Sequence, residues 1–397
     1  MSLLRKASIV TTPTSYENGK ILSVKPVQSL GVEQIENGNF ATDTDWSKGT
    51  GWTISGGKAN VNATSNTDLG QNVGSSVGKT YKITFEVSNY VSGSVKVLLG
   101  YGSTPLSPAL TATANGIYET EAIPNAVNPQ RLYISTQTST TNLSIDNVSV
   151  KEVLDADFDF TRNSSATRVN SQGLIEDITS NLPRIDYTGG VGHWLFEPQS
   201  TNLITQSEAF DNAYYAKIRS TISTDQIVSP DGTQNADKFI EDSALGTKLL
   251  WTQDEVVSIG NVITWSVFAK KGERDWVLLK DTNAGNFSGY FDLENGVVGS
   301  TTSLDSSKIE DLGSGWYRCS ITYTSTTTTA RGRLYLADAN NGESYQGNGT
   351  SGLYIWGAQL EQNSYATSYI PTEGSISTRL QDAAFGAGSS DLINSTE

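Results

Sequence analysis

The strongest constraint on how this chain can fold is that it carries the same pattern twice. Gly78-Lys-Thr-Tyr-Lys-Ile-Thr-Phe-Glu-Val87 is answered by Gly260-Asn-Val-Ile-Thr-Trp-Ser-Val-Phe-Ala269, and Gly116-Ile-Tyr118 by Gly315-Trp-Tyr317. Leu143-Ser-Ile-Asp-Asn-Val-Ser-Val150 is answered by Leu353-Tyr-Ile-Trp-Gly-Ala-Gln-Leu360. The openings correspond as well, with Asn-Gly-Asn-Phe40 and Trp46 set against Ser-Glu-Ala-Phe210 and Tyr215. Diverged copies of one module multiply surfaces, which suits display or binding, whereas an enzyme usually needs one site.

Each copy reads as β-structure. Tyr81, Ile83, Phe85 and Val87 alternate with Lys82, Thr84 and Glu86, giving one buried and one wet face. Ile263, Trp265, Val267 and Ala269 take the inward phase in the second copy, and Tyr317, Cys319, Ile321 and Tyr323 do so later. Cys319 is thus expected in a core, chemically inert. In the closing strands the phase slips by one residue, from Leu143 and Ile145 to Val148 and Val150, and from Leu353 and Ile355 to Ala358 and Leu360. A β-bulge produces such a slip. The polar positions are dominated by Ser, Thr, Asn and Gly, residues of strands and turns. The expected fold class is all-β: two antiparallel β-sandwich modules of jelly-roll type joined by an extended segment.

A chain of 397 residues exceeds one ordinary core. The division expected is a lead (residues 1–32), a first sandwich (33–153), an extended connecting segment (154–199), a second sandwich (200–373) and a Gly/Ser-rich tail (374–397). The tail is expected to be mobile or to order on a partner.

Several function classes are disfavoured. The formal charge of −15 and the lack of a basic run argue against nucleic acid. No apolar stretch is long enough for a spanning helix, and the N-terminus makes a poor signal peptide, so no membrane insertion is expected. One cysteine permits no intrachain disulfide, and one Cys with one His, His193, cannot supply the usual zinc ligands. A Ser/His/Asp arrangement would have to use His193, yet no Gly-x-Ser-x-Gly elbow exists. The 42 acidic residues permit a glycosidase-type carboxylate pair without nominating one. Gly347-Asn-Gly-Thr-Ser-Gly352 has dinucleotide-loop spacing but precedes a strand rather than a helix. Asp155-Ala-Asp-Phe-Asp-Phe160 begins like a calcium loop but lacks the later glycine and glutamate, and reads better as a strand with Phe158 and Phe160 inward.

What remains is recognition. Aromatic rings on a rigid β scaffold can stack on sugar faces while Asn, Asp and Gln bond the hydroxyls. The candidates are Trp46, Trp52, Tyr90 and Tyr101 in the first module and Trp251, Trp276 and Tyr290 in the second. Against this, Trp52, Trp265, Trp316 and Trp356 lie in strand patterns that suit a core. No cofactor is required. Asp146, at the strand kink, is either a structural Ca²⁺ ligand together with Asn39 or an ordinary turn cap.

The first module, with Asn-Gly-Asn-Phe40, Trp46, Gly-Trp52 and Ile-Asp-Asn-Val-Ser-Val150, resembles the β-sandwich carbohydrate-binding modules of polysaccharide-degrading enzymes. That resemblance implies a jelly roll that often binds glycans and often carries calcium. The segment Phe158-Asp-Phe-Thr-Arg-Asn-Ser-Ser-Ala-Thr-Arg-Val-Asn170, with Gly173-Leu-Ile-Glu176, Pro183-Arg-Ile-Asp-Tyr187 and Glu197-Pro-Gln-Ser-Thr-Asn-Leu203, resembles one recurrent in tailed-bacteriophage fibre and other virion proteins. There it leads into a lectin-like β-sandwich, which Pro230-Asp-Gly232, Gly315-Trp-Tyr-Arg-Cys319, Tyr354-Ile-Trp-Gly-Ala-Gln-Leu-Glu361 and Ala366-Thr-Ser-Tyr-Ile-Pro371 match. The lead, from Leu4-Arg-Lys-Ala-Ser8 through Lys20-Ile-Leu-Ser-Val-Lys-Pro26, is similar to the start of such proteins, where it runs almost directly into the Phe-Thr-Arg segment. The first module reads as an insertion between them.

The resemblance implies a non-enzymatic virion structural protein of a tailed phage, a fibre, spike or head-fibre component. It would be made in the host cytoplasm, released by lysis and placed on the virion surface. Its partners would be other virion proteins, bound through the lead, and host-surface or environmental glycans. Such fibres are commonly homo-oligomers, often trimers, although the chain has no heptad seam. Two alternatives remain: a purely structural capsid-decoration or tail-adaptor protein without sugar binding, and a polysaccharide depolymerase.

Overall fold

The computed structural model describes residues 10–24, 29–75, 79–100, 110–124, 131–137, 140–154 and 157–385. Every regular element among them is a β-strand, and the strands of both sandwiches pair antiparallel. The chain is all-β. It divides into two compact units, one dominated by residues 23–157 and the other by residues 11–22 and 158–385.

In the first unit, one sheet runs in the order Gly116–Ala122, Tyr81–Ser92, Thr141–Leu154, Lys58–Ala63, Trp52–Ser55, with Ser29–Glu33 on the far half of Thr141–Leu154. The facing sheet runs Leu110–Ala112, Val95–Gly100, Arg131–Thr136, Asp68–Asn72, Ser47–Lys48. Inward residues of both, among them Phe85, Val87, Leu132, Ile134 and Ile145, form one core. This is a β-sandwich, closed face to face by the alternation read from the sequence.

The second unit repeats the arrangement. One sheet runs Ser306–Gly313, Trp316–Thr324, Val262–Lys270, Gly352–Glu361, Ala236–Glu241, Ser220–Ile227. The other runs Val297–Thr302, Phe287–Asp292, Trp276–Asp281, Arg333–Ala337, Leu245–Trp251, Ala216–Ile218, with Ser344–Gln346 beside Leu245–Trp251. The strands beginning at Gly116 and Trp316 occupy matching places, as do Tyr81–Ser92 with Val262–Lys270 and Thr141–Leu154 with Gly352–Glu361. The internal repeat is therefore topological as well as textual.

Both expected bulges are present. The pairing of Thr141–Leu154 with Tyr81–Ser92 shifts between Asp146 and Ser149, where Asn147 has φ 50°. The pairing of Gly352–Glu361 with Val262–Lys270 shifts where Gly357 has φ 60°. Cys319 and Trp265 are fully buried in the second core, and burial pushes the thiol pKa up, away from thiolate chemistry. Phe160 turns inward as expected, while Phe158 is half-buried.

The tail departs from expectation. Ser377–Arg379 pairs with Ser200–Asn202, and Ala383–Phe385 pairs with Phe158–Thr161. The chain from Gly374 to Phe385 is thus built into the second unit. Residues 1–9 of the lead and 386–397 of the tail lie outside the described residues.

Candidate functional site

The strands Leu245–Trp251, Arg333–Ala337, Trp276–Asp281 and Phe287–Asp292 are apolar on both faces. Leu250, Leu334, Leu336, Val277, Leu279 and Phe291 point into the sandwich core. The alternate residues Leu249, Tyr335, Leu278, Tyr290 and Ala337 form a second apolar layer on the sheet's outer face, flanked by Trp251 and Trp276. Register explains the layer: Leu249 opposes Tyr335, Tyr335 opposes Leu278, and Leu278 opposes Tyr290. Trp251 opposes Arg333, Arg333 opposes Lys280, and Trp276 opposes Ala337. The backbone positions of the two tryptophans therefore stand two strands and four residues apart, about 16 Å by strand geometry.

Polar groups rim this face. The Arg333 guanidinium lies 6.0 Å from the Trp251 ring centre, and Lys280 Nζ lies 5.7 Å from that of Tyr335. Lys280 donates to Glu343 Oε2 at 3.1 Å. The loop after Ala337 reaches towards Val297–Thr302: Asn340 Oδ1 accepts from the Ser300 N–H at 2.9 Å and Asn341 Nδ2 donates to Ser300 Oγ. A Cβ on Gly299 would lie 2.7 Å from the Trp276 ring, so glycine there lets the indole lie close to the sheet. Burial first, then the Glu343 and Tyr335 charges, push the Tyr290 phenol up to about 12. Tyr290 and Tyr335 are buried and form the floor, while Trp251 and Trp276 are half-buried and keep ring surface open.

The structure thus gathers three of the sequence candidates, Trp251, Trp276 and Tyr290, on one face, with only the indoles able to stack. In the first unit, Trp46 and Trp52 are corrected: both are core residues at 7% and 5% exposure. Trp46 packs against Phe40 with the rings tilted and donates its indole N–H to Asn37 O, so its ring packs inward. Tyr90 is half-buried against that core and its hydroxyl donates to Gly93 O. Tyr101 lies outside the described residues. Sequence reading missed Tyr335, Leu278, Arg333 and Lys280. Their signal was the unbroken apolar run of Trp276-Val-Leu-Leu279 and of Leu334-Tyr-Leu-Ala337, which marks a strand covered on both faces.

Asp146 and Asn39 are engaged locally. The Asn147 N–H donates to Asp146 Oδ1 at 2.7 Å, and the Ala41 N–H donates to Asn39 Oδ1 at 3.3 Å. Among the described residues no group of three or more His, Cys, Asp or Glu side chains is placed to hold a metal ion. His193 is half-exposed, with Nε2 3.8 Å from Asp186 Oδ1.

A second constellation is fully buried. Arg162 and Arg184 both bind Asp382, at 3.1 Å for Arg162 Nη1, and Arg184 also binds Glu197 at 2.9 Å. Arg379 approaches Glu197 at 3.5 Å and donates to Pro198 O at 2.8 Å. Burial works to raise the Glu197 pKa, but Arg379, Arg184 and two hydrogen bonds from Ser368 hold it below the usual carboxylate range. Every one of these side chains is tied, leaving none for chemistry. It is a clasp joining residues 162–197 to 379–382.

No family model matches the sequence, and no curated protein matches it. Solved structures similar to it include the N-terminal CBM22-1–CBM22-2 tandem of Paenibacillus barcinonensis Xyn10C, at 10% identity and TM-score 0.26 over 85% of this chain and 98% of that one. Another is the M60 catalytic domain with the CBM51-1 and CBM51-2 domains of Clostridium perfringens ZmpB, at 9% identity and TM-score 0.19 over 91% and 43%. A third, an anti-sigma factor domain-containing protein, gives 10% identity and TM-score 0.15 over 87% and 99%. Similarity this distant bears on neither ligand nor activity.

Proposed function

We propose that this chain is a non-enzymatic display protein whose second sandwich binds glycans through the outer face bearing Trp251 and Trp276. That face is the observation that carries the reading: two half-open indoles on a rigid sheet, with Arg333, Lys280, Glu343 and Asn340 at hand for hydroxyls. Two rings carried on backbone positions about 16 Å apart suit an extended polysaccharide better than one sugar. The resemblance of residues 158–203 and of the second sandwich to phage fibre proteins extends the proposal to a virion surface. There the lead would engage other virion proteins and the chain would act as a homo-oligomer. A structural calcium at Asp146 and Asn39 belongs to the same proposal and would be tested by calcium titration of thermal stability.

Retention of the full chain on immobilised bacterial surface polysaccharides tests the binding. Saturable retention that soluble glycan competes away is expected, and Trp251→Ala or Trp276→Ala should each weaken it about 3–10-fold. Folded protein with no retention on any glycan would overturn the reading. It would favour instead a purely structural virion part, for which the Asn340 and Asn341 contacts to Ser300 would simply finish a packed face.

A further inference from the structure

Four arginines of the second unit are buried, and one of them has no counter-ion. Arg162, Arg184 and Arg379 share Asp382 and Glu197. Arg318, 7% exposed, instead donates to Thr367 O at 2.5 Å and Ser266 Oγ at 3.1 Å, with its guanidinium 5.1 Å from the Phe268 ring centre. Its Nε has no hydrogen-bond partner among the described residues. A buried charge without an ion partner is costly, and burial lowers this guanidinium's pKa against the more distant pull of Glu361, Glu310 and Glu197.

Arg318 also lines a cleft of 240 Å³ between the outer face of its sheet and the residue 166–197 segment. Phe268, Ile175, Leu195 and Leu312 give this cleft apolar walls, and Tyr365, 47% exposed, stands among its lining residues. The other charged lining groups are already engaged. Glu197 sits in the clasp, Arg168 binds Glu176, and Lys308 binds Glu310. Asp186 accepts from the N–H groups of Val169 and Thr188, with His193 at 3.8 Å. Thr188 and Ser368 add hydroxyl groups to the lining.

We propose that this cleft is a second binding site, which takes one carboxylate-bearing sugar residue, a hexuronate, with its carboxylate on Arg318 and its ring among the apolar walls. At 240 Å³ the space is below the range of about 300–1,000 Å³ usual for drug-sized ligands, which limits it to a single ring. The site is separate from the outer face bearing Trp251 and Trp276.

Calorimetric titration of the full chain with glucuronate, glucose and acetate tests this. Glucuronate should bind one to one, at least 10-fold tighter than either glucose or acetate. Arg318→Met should abolish that preference while keeping the fold, since an unpaired buried charge is replaced by an apolar chain. Glu310→Gln, which removes a carboxylate directly across the strand pair from Arg318, should tighten glucuronate several-fold and decides the matter if Arg318→Met fails to fold. Trp251→Ala and Trp276→Ala should leave glucuronate binding unchanged, so this site and the outer face fail independently. Glucuronate binding no tighter than glucose, binding undiminished in Arg318→Met, or binding not tightened in Glu310→Gln would each overturn the proposal.

Discussion

At the scale of single residues, a buried carboxylate without a cation makes stability answer to pH. Asp237 is 3% exposed, its Oδ1 accepts from the Asp225 N–H at 3.2 Å, and its Oδ2 has no partner among the described residues. Burial lifts its pKa to about 6. A folded pKa above the unfolded value near 3.9 means that Asp237 contributes stability fully below about pH 4, and that this is lost as pH rises through about 6. Asp237→Asn should therefore raise the melting temperature at pH 7 by more than at pH 4. The pH-dependent difference should be on the order of 2 kcal/mol. An equal shift at both pH values would show that the carboxylate is not raised.

At the scale of elements, the repeat was legible because strand periodicity is local. The phase slips at Ile145 to Val148 and Ile355 to Ala358 located both bulges, since a period of two leaves no other regular explanation. The two bulges should nonetheless respond differently to substitution. Gly357 has φ 60°, and a Cβ there would lie 2.7 Å from the Phe268 ring and 3.1 Å from Tyr369. Gly357→Ala combines left-handed strain with a clash against packed aromatics, and should cost about 1–3 kcal/mol in denaturant titration. Asn147 has φ 50° but an exposed side chain, so Asn147→Gly should change stability by less than about 1 kcal/mol. The outer aromatic face was only half legible. Trp251, Trp276 and Tyr290 stood out as aromatics, but Tyr335 joins them through a strand far along the chain, and pairing between distant strands leaves no local signature. Trp46 and Trp52 misled for the converse reason: a tryptophan in a strand looks alike whether its ring meets core or solvent.

At the scale of the whole molecule, the least legible feature is the clasp, because its members lie as far apart in sequence as Arg162 and Asp382. Residues 374–397 look like a tail by composition, yet Arg379 and Asp382 are 1% exposed or less at their side chains. Truncation after Glu373 would remove both, leaving Arg162 with no carboxylate and Arg184 with Glu197 alone. Removing one partner of a buried ion pair costs roughly 3–5 kcal/mol, a large part of the stability of any single domain. The truncated chain should therefore lose the cooperative unfolding transition of the second unit while the first unit's transition persists in calorimetry. Asp382→Asn in the full chain should weaken that transition less, since an amide keeps one acceptor. Acid should weaken it in the full chain by the same physics. Glu197 has a folded pKa below its unfolded value near 4.3, so its contribution is present above that pH and lost as pH falls through the folded value. If the chain ending at Glu373 melted as the full chain does, Asp382 and Arg379 would be bystanders and the tail dispensable.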